Sequence, residues 1–179
     1  MKLNEPLTID QIDFRIQSIT KNGYAIFLAY KDARVDMNRL DAVYGVEFWQ
    51  KKYELINGNL FCSVGVWNKE LNQWVWKQDV GTESQTEKEK GEASDAFKRA
   101  CFNLGIGREL YEYPLIRIKL TEAEYKEENG KGKATWDLRL KEWTWYSEFT
   151  NDKLTYLGCK DEKNNVRFQW GKLTKQTKN

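Results

Sequence analysis

Residues Glu87 to Gly107 read EKEKGEASDAFKRACFNLGIG. Ala93, Ala96, Phe97, Ala100, Cys101 and Leu104 recur at three- and four-residue steps, which predicts one helix with a single buried stripe. Gly105 and Gly107 supply its stop, because glycine enters the left-handed region without steric cost. Lys98 and Arg99 lie off the stripe, beside the small residues Ser94 and Ala100. Taken alone, this pair has two readings. In one, Asp95 pairs with Arg99 a turn later and both cations are solvated. In the other, the pair lines a groove and neutralises phosphates, lysine as a point charge and arginine as a planar fork.

Upstream of the helix the pattern is that of a β-meander. Trp49 to Ile56 is followed by Asn57-Gly58-Asn59, a hairpin turn in which Asn-Gly supplies positive φ angles. Leu60, Cys62, Val64 and Val66 then alternate with Phe61, Ser63, Gly65 and Trp67, the two-residue period of a half-buried strand. After a turn at Lys69 to Asn72, Trp74, Trp76, Gln78 and Val80 share one face of a third strand, and Val75, Lys77 and Asp79 the other. Gly81 to Ser84 leads into the helix.

Earlier in the chain, Thr8 and Gln11 have capping-box spacing and predict a short helix carrying Ile9, Ile12, Phe14 and Ile16 or Ile19. Tyr24 to Tyr30 reads as a strand, and Val35 to Tyr44 as a second helix stopped by Gly45. Beyond Pro114, Leu115 to Leu120 reads as extended. Thr121 to Glu124 is another capping box, predicting a brief helix to about Glu128. Residues 129–133 read as an exposed loop, and Trp136, Leu138 and Leu140 as a strand. The apolar phase then flips to Trp143 and Trp145, marking a bulge near Glu142 or a break between strands. Leu154 to Gly158 and Val166 to Trp170 predict a last hairpin across a turn at Asp161 to Asn165.

The fold class expected is therefore α+β: an antiparallel β-meander crossed by a long helix, with a β-rich C-terminal extension. Residues 1–170 are read as a single domain, with a core of about 24–113 and an extension of about 114–170. Residues 171–179 are a Lys/Thr-rich tail read as disordered.

Composition narrows the function classes. The chain has 179 residues, and its 29 basic against 27 acidic side chains leave a net charge of +2. Any nucleic-acid site must then come from local segregation of cations, or from their repetition in an oligomer. There is no histidine, which removes His bases, His-containing triads and nearly all catalytic zinc sites. Cys62, Cys101 and Cys159 are scattered, with no CxxC, so neither a disulfide framework nor a thiolate metal site is expected. No apolar core of signal-peptide type opens the sequence and no apolar run approaches membrane-spanning length, so a reducing cytoplasm is the expected setting.

Further candidates each have a plain alternative. Arg34 precedes the second helix and is by itself a loop arginine. Lys51 and Lys52 point to opposite faces of their strand, so at most one joins any single patch. Lys88 and Lys90 sit in a mixed-charge run, read as a solvated helix start. Trp67, Trp74 and Trp76 suit either a stacking platform for unpaired bases or a core or subunit interface. Gly130-Lys-Gly-Lys133 lacks the frame of a phosphate loop, Asp161-Glu-Lys163 lacks a partner carboxylate, and Gly105-Ile-Gly107 follows a helix and not a strand. No catalytic constellation is legible.

Four blocks, in order, resemble the Rad52 superfamily of single-strand annealing proteins, especially its phage members. They are Arg34-Val35 through Tyr44-Gly45 to Trp49, FCSVGVW at 61–67, Asp79-Val80-Gly81, and GEASDAFKRACFNLGIG at 91–107. They cover roughly residues 24–113. The resemblance implies a β-β-β-α core, protomers joined into rings or arcs, and a basic groove that holds single-stranded DNA by its backbone with bases free to pair. It implies ATP-independent annealing in homologous recombination or phage DNA repair, with no enzyme activity, cofactor or metal. It implies self-association, a single-strand binding protein as a further partner, no membrane, and the bacterial host cytoplasm if phage-encoded.

By position, Arg34, Lys98 and Arg99 match the family's inner groove, and Lys69 at the hairpin tip matches an outer-site lysine. Lys51 and Lys52 complete the expected DNA-binding set. Two departures stand out: Phe102 occupies a position where eukaryotic members often carry arginine, and Tyr44 precedes the helix-end glycine instead of following it. The alternative function is a single-stranded DNA protecting module that does not anneal.

Overall fold

The computed structural model describes residues 2–82 and 88–173; the expected lead-in at Glu83-Ser84, the helix start at Glu87 and the tail beyond 173 lie outside the described residues. In chain order the elements are β1 Asp13–Ile19, β2 Tyr24–Tyr30, α1 Ala33–Tyr44, β3 Trp49–Ile56, β4 Asn59–Asn68, β5 Gln73–Val80 and α2 Lys88–Asn103. They continue with β6 Ile116–Lys119, β7 Tyr125–Glu128, β8 Lys131–Ala134, β9 Thr144–Thr150, β10 Lys153–Lys160 and β11 Val166–Gly171. The class is α+β, mostly antiparallel sheet with two helices. The chain packs as two compact units, Met1–Pro6 with Lys31–Arg108 and Leu7–Tyr30 with Glu109–Asn179.

The first unit contains the meander and both helices. β3, β4 and β5 form an antiparallel sheet in sequence order, and Asn57 and Gly58 turn β3 into β4 at φ 51° and 81°. The alternation in β4 sets the sheet's two faces. Cys62, Val64 and Val66 are buried beneath Ala96, Phe97, Ala100 and Cys101 of α2. Burying a side chain the size of Phe97 stabilises the fold by about 1.5–3 kcal/mol. The approach of helix to sheet depends on Gly81: a Cβ there would lie 2.3 Å from the Glu92 carbonyl oxygen and 3.0 Å from Ala96 Cβ. Past Asn103 the chain leaves the helix through Gly105, at φ 109°.

α1 closes one side of this core with Leu40. It also buries charge: Asp36 is fully buried, and its carboxylate pairs with the nearly buried ammonium of Lys31. Burial pushes the Asp36 carboxyl up to about 6, against the opposing charge and hydrogen bond of Lys31. Arg39 is buried as well and donates to the carbonyls of Lys2 at 3.0 Å and Glu5 at 2.7 Å.

The second unit pairs a five-stranded sheet, in the order β6-β2-β1-β8-β7, with a three-stranded sheet, β11-β10-β9. Its core gathers Phe27, Ile116, Ile118, Trp143 and Leu157. Arg167 is its ionic centre. The guanidinium reaches both Glu124 oxygens at 2.8 and 2.7 Å, approaches Asp161 at 3.4 Å, and stands 4.4 Å from the Trp143 ring centroid. Burial alone would raise the Glu124 carboxyl, but the Arg167 hydrogen bonds and the Thr121 N–H hold it below its ordinary value.

Four expected elements differ in this unit. Residues 13–19 form a strand where a helix is predicted; only a 3-10 turn, Ile9–Gln11, precedes it. A register shift between Ile16 and Ser18 carries Ile19 to the inner face, so Ile12, Ile16 and Ile19 mimic helical spacing. Thr121 and Glu124 do make the capping-box bond, at 2.7 Å. The chain then turns into β7, because Arg167 holds Glu124 and β8 pairs with residues 125–128. The predicted loop 129–133 is thus a hairpin turn and the start of β8. Residues 136–140 alternate as a strand does, but among the described residues no strand pairs with them and Trp136 is wholly exposed.

The Lys31–Asp36 pair yields a pH test. A carboxyl raised in the folded state makes its contribution to stability grow as pH falls through its folded value toward its unfolded one. Lys31→Met strands the carboxylate, and breaking a buried pair in this way destabilises by about 3–5 kcal/mol. That loss is expected in urea titrations at pH 7.5 and should shrink by more than half at pH 5, where Asp36 is protonated. An equal loss at both pH values would rule out a stranded charge as its source.

Candidate nucleic-acid interface

α2 carries its two central cations to opposite flanks. Adjacent residues on a helix diverge by about 100°, and each cation meets a different acid. Toward α1, Lys98 lies within electrostatic reach of Asp32 and Asp36. Asp32 caps α1 by accepting from the Arg34 N–H at 2.8 Å, and the same carboxylate accepts from Arg34 Nε at 2.8 Å. These Arg34 hydrogen bonds are the main reason that the Asp32 carboxyl sits below its ordinary value; the charges of Arg34 and Lys98 add to it. The cap therefore brings Arg34 and Lys98 to one place, with the Arg34 side chain 80% exposed.

Toward β5, Arg99 donates through Nε and Nη2 to Asp79 Oδ1, both at 3.2 Å. Asn103, one turn on, donates to Asp79 Oδ2 at 3.2 Å and to the Gln78 carbonyl at 3.1 Å. Asp95, the expected partner of Arg99, instead accepts from the Thr82 backbone and hydroxyl at 3.1 and 3.0 Å. Arg99 is thus an ion-paired residue at the end of the sheet whose fork remains partly open to solvent, at 42% exposure.

Of the two lysines in β3, Lys51 joins the helix side: its ammonium is 4.4 Å from the Phe97 ring centroid. Lys52 points to the other face, 5.3 Å from the Trp76 centroid and 3.7 Å from Glu54. Lys69 is separate again. It stands at the β4–β5 turn, 5.4 Å from the Phe48 ring, and lines a cleft of about 640 Å³ with Tyr44, Lys77 and Asn103. The structure therefore brings Arg34 and Lys98 together at the start of α1, sets Lys51 against Phe97 on the helix side of the sheet, and places Arg99, Lys52 and Lys69 elsewhere on the unit.

Two cations in this neighbourhood escape sequence reading. Lys77 lies in the cleft with Lys69; the alternation of β5 already puts it on the Asp79 face. Arg108 follows the helix stop and donates to the carbonyls of Phe102 at 2.8 Å and Asn103 at 2.9 Å. Its guanidinium stands 5.7 Å from the Phe102 centroid. A cation just past a helix C-terminus is the available signal.

These features define an α+β protein with a β-β-β-α unit whose helix presents cations along its flanks. The chain belongs to the Rad52/22 family of double-strand break repair proteins, whose family model matches residues 1–131. It is similar to the single-stranded DNA-binding protein DdrA of Deinococcus deserti, 34% identical over 126 residues, or 69% of this chain and 61% of that protein. It is also similar to DdrA of Deinococcus radiodurans, 37% identical over 92 residues, or 50% of this chain and 43% of that protein. The chain thus spans less than two thirds of the length of either relative. Among the described residues, no helix is long and apolar enough to cross a membrane.

The Asp79 cluster can be tested by itself. Hydrogen bonds to charged groups contribute about 1.5–3 kcal/mol when buried, and the exposure of Arg99 reduces that. Asp79→Ala is expected to lower unfolding stability by about 1–2 kcal/mol in urea titrations. A loss below about 0.3 kcal/mol would mean that Arg99 and Asn103 do not depend on this carboxylate.

Proposed function

We propose that this protein binds single-stranded DNA by its phosphates and anneals complementary strands without nucleotide hydrolysis, in recombination or repair. The observation that carries the reading is the meeting of Arg34 and Lys98, remote in sequence, at the start of α1, with Lys51 on the helix side of the sheet, in a chain of the Rad52/22 family. Lysine and arginine ends offered to phosphate oxygens position a strand without reading its sequence. That is the requirement of annealing, in which the base edges must stay available. The names of the two DdrA relatives support the single-stranded substrate.

The balanced charge of the chain is reconciled with this substrate by self-association. A ring or arc of protomers repeats the same few cations along one path, so that weak contacts multiply. Arg99, on the opposite flank of α2, adds a further contact: a strand phosphate competes with Asp79 for its fork. Binding of this kind releases counterions and weakens steeply with salt. Annealing needs no nucleophile or general base, and the role assigned is binding and pairing without catalysis.

The test uses two complementary fluorescently labelled oligonucleotides without ATP. Wild-type protein is expected to speed their pairing. Lys98→Ala/Arg99→Ala should lose at least about tenfold in strand affinity, and annealing with it, while circular dichroism and sedimentation stay unchanged. Normal annealing by that variant would remove the groove assignment. A wild type that binds but slows pairing would be a protecting module, and strand cleavage in magnesium would make the protein a nuclease.

A further inference from the structure

The sheet face turned away from α2 has a different chemistry from the groove. At the centre of its middle strand the side chains are small: Ser63 and Gly65 form the floor, between β3 and β5 and flanked by Phe61 and Trp67. Trp76 is the cross-strand partner of Gly65. A Cβ on Gly65 would lie 2.9 Å from Cε3, 2.9 Å from Cζ3 and 3.0 Å from Cδ2 of Trp76. Three ring atoms at nearly one distance mean that the indole lies flat on the glycine backbone. Its inner face is thereby used, and the residue remains 39% exposed. Trp74, at 6.2 Å between centroids, and Trp67, which meets Trp74 edge-on at 5.4 Å, extend the aromatic strip.

The charges around this ring cancel. Lys52 stands over it, but within 3.7 Å of Glu54. Gln78 donates to the buried Ser63 Oγ at 3.0 Å and approaches Glu54 at 3.4 Å, which puts an amide at the margin. A neutral trough with a flat π-face and neutral hydrogen-bonding groups suits a nucleobase better than a phosphate. It is also continuous with the cationic flank. β3 is an edge strand, and its adjacent Lys51 and Lys52 put one ammonium on each side of that edge. A strand leaving the flank finds a cation on both sides as it turns round β3.

We propose that the open face of the β3-β4-β5 sheet is a second site for single-stranded nucleic acid, which holds unpaired bases by stacking on Trp76. The inference rests on the single-strand reading above, but not on the groove residues. Lys52, more than half exposed, swings aside to admit the base and keeps its charge for the adjoining phosphate. The groove then grips the backbone, and the sheet grips bases of the same or a second strand.

The test compares a fifteen-nucleotide thymidine strand with an abasic tetrahydrofuran strand of equal length, by fluorescence anisotropy on the full chain at 50 and 300 mM salt. Stacking of one base is worth about 5- to 100-fold in affinity, so wild type should prefer the thymidine strand by a factor in that range at both salts. Trp76→Ala should bring the preference within about twofold and leave the abasic affinity unchanged. Trp76→Leu keeps an apolar cover over Gly65 and should lose the preference equally, which separates stacking from folding. Lys98→Ala/Arg99→Ala should weaken both strands alike; if it weakens neither, the groove assignment falls and the sheet-face site stands. An undiminished preference in both Trp76 variants, no preference in wild type, or a changed sedimentation coefficient of DNA-free Trp76→Leu would each overturn the proposal, the last by making this face a contact between copies of the chain.

Discussion

The first unit depends on how closely α2 can lie on β4. Ala96, Ala100 and Cys101 are small enough to bring the helix backbone down onto Cys62, Val64 and Val66, with Phe97 as the one large side chain in the seam. Gly81 removes the last obstacle, since the Glu92 carbonyl occupies the space of its missing Cβ. The same contact sets the direction of every other side chain on the helix. With Phe97 and Ala100 inward, the two residues between them must project sideways, one to each flank.

That geometry gives the basic pair two unlike environments. Lys98 faces the capped start of α1, where Asp32 and Arg34 already form a local hydrogen-bonded turn. Arg99 faces β5, where Asp79 receives it together with Asn103 and the Val80 N–H. An exposed ion pair of this kind has little net stability of its own. It does order the guanidinium, so less side-chain entropy remains to be lost when an anion arrives. Under the proposed function Asp79 is a placeholder for a phosphate, and the affinity at Arg99 is a difference between two acceptors.

Much of the first unit was legible because its signals are local and agree with one another. Asn57-Gly58, the alternation of Cys62, Val64 and Val66, and the Ala96–Phe97–Ala100–Cys101 stripe each specify one element, and each element buries the residues expected of it. Misreadings arise where spacing has two explanations. The bulge after Ile16 converts a strand into apparent helical spacing, and Trp136 to Leu140 alternate with no strand beside them. Long-range charge was not legible at all. Arg167 meets Glu124 and Asp161 only after three strands have been paired, and nothing local marks Asp79 rather than Asp95 as the acid for Arg99. For the candidate site, alternation established that Lys51 and Lys52 part company, but only the packing of Phe97 shows which of them joins α2.

The two faces of the meander are suited to different parts of one polymer. On the helix side, Arg34, Lys51 and Lys98 provide charge, with Tyr53 as the neighbouring exposed ring. On the other side, Trp67, Trp74 and Trp76 provide flat surface with cancelled charge. A phosphate contact falls in strength as salt rises, whereas a stacked base is held by surface contact that salt screens little. Under the two proposals, the protein holds a strand loosely enough by its backbone to let bases search, and retains that strand when ionic conditions weaken the groove. The division follows from one local choice in β4, where Gly65 stands between apolar residues of the opposite face. A larger residue there would lift Trp76 off the sheet and leave only the cationic side to hold the strand.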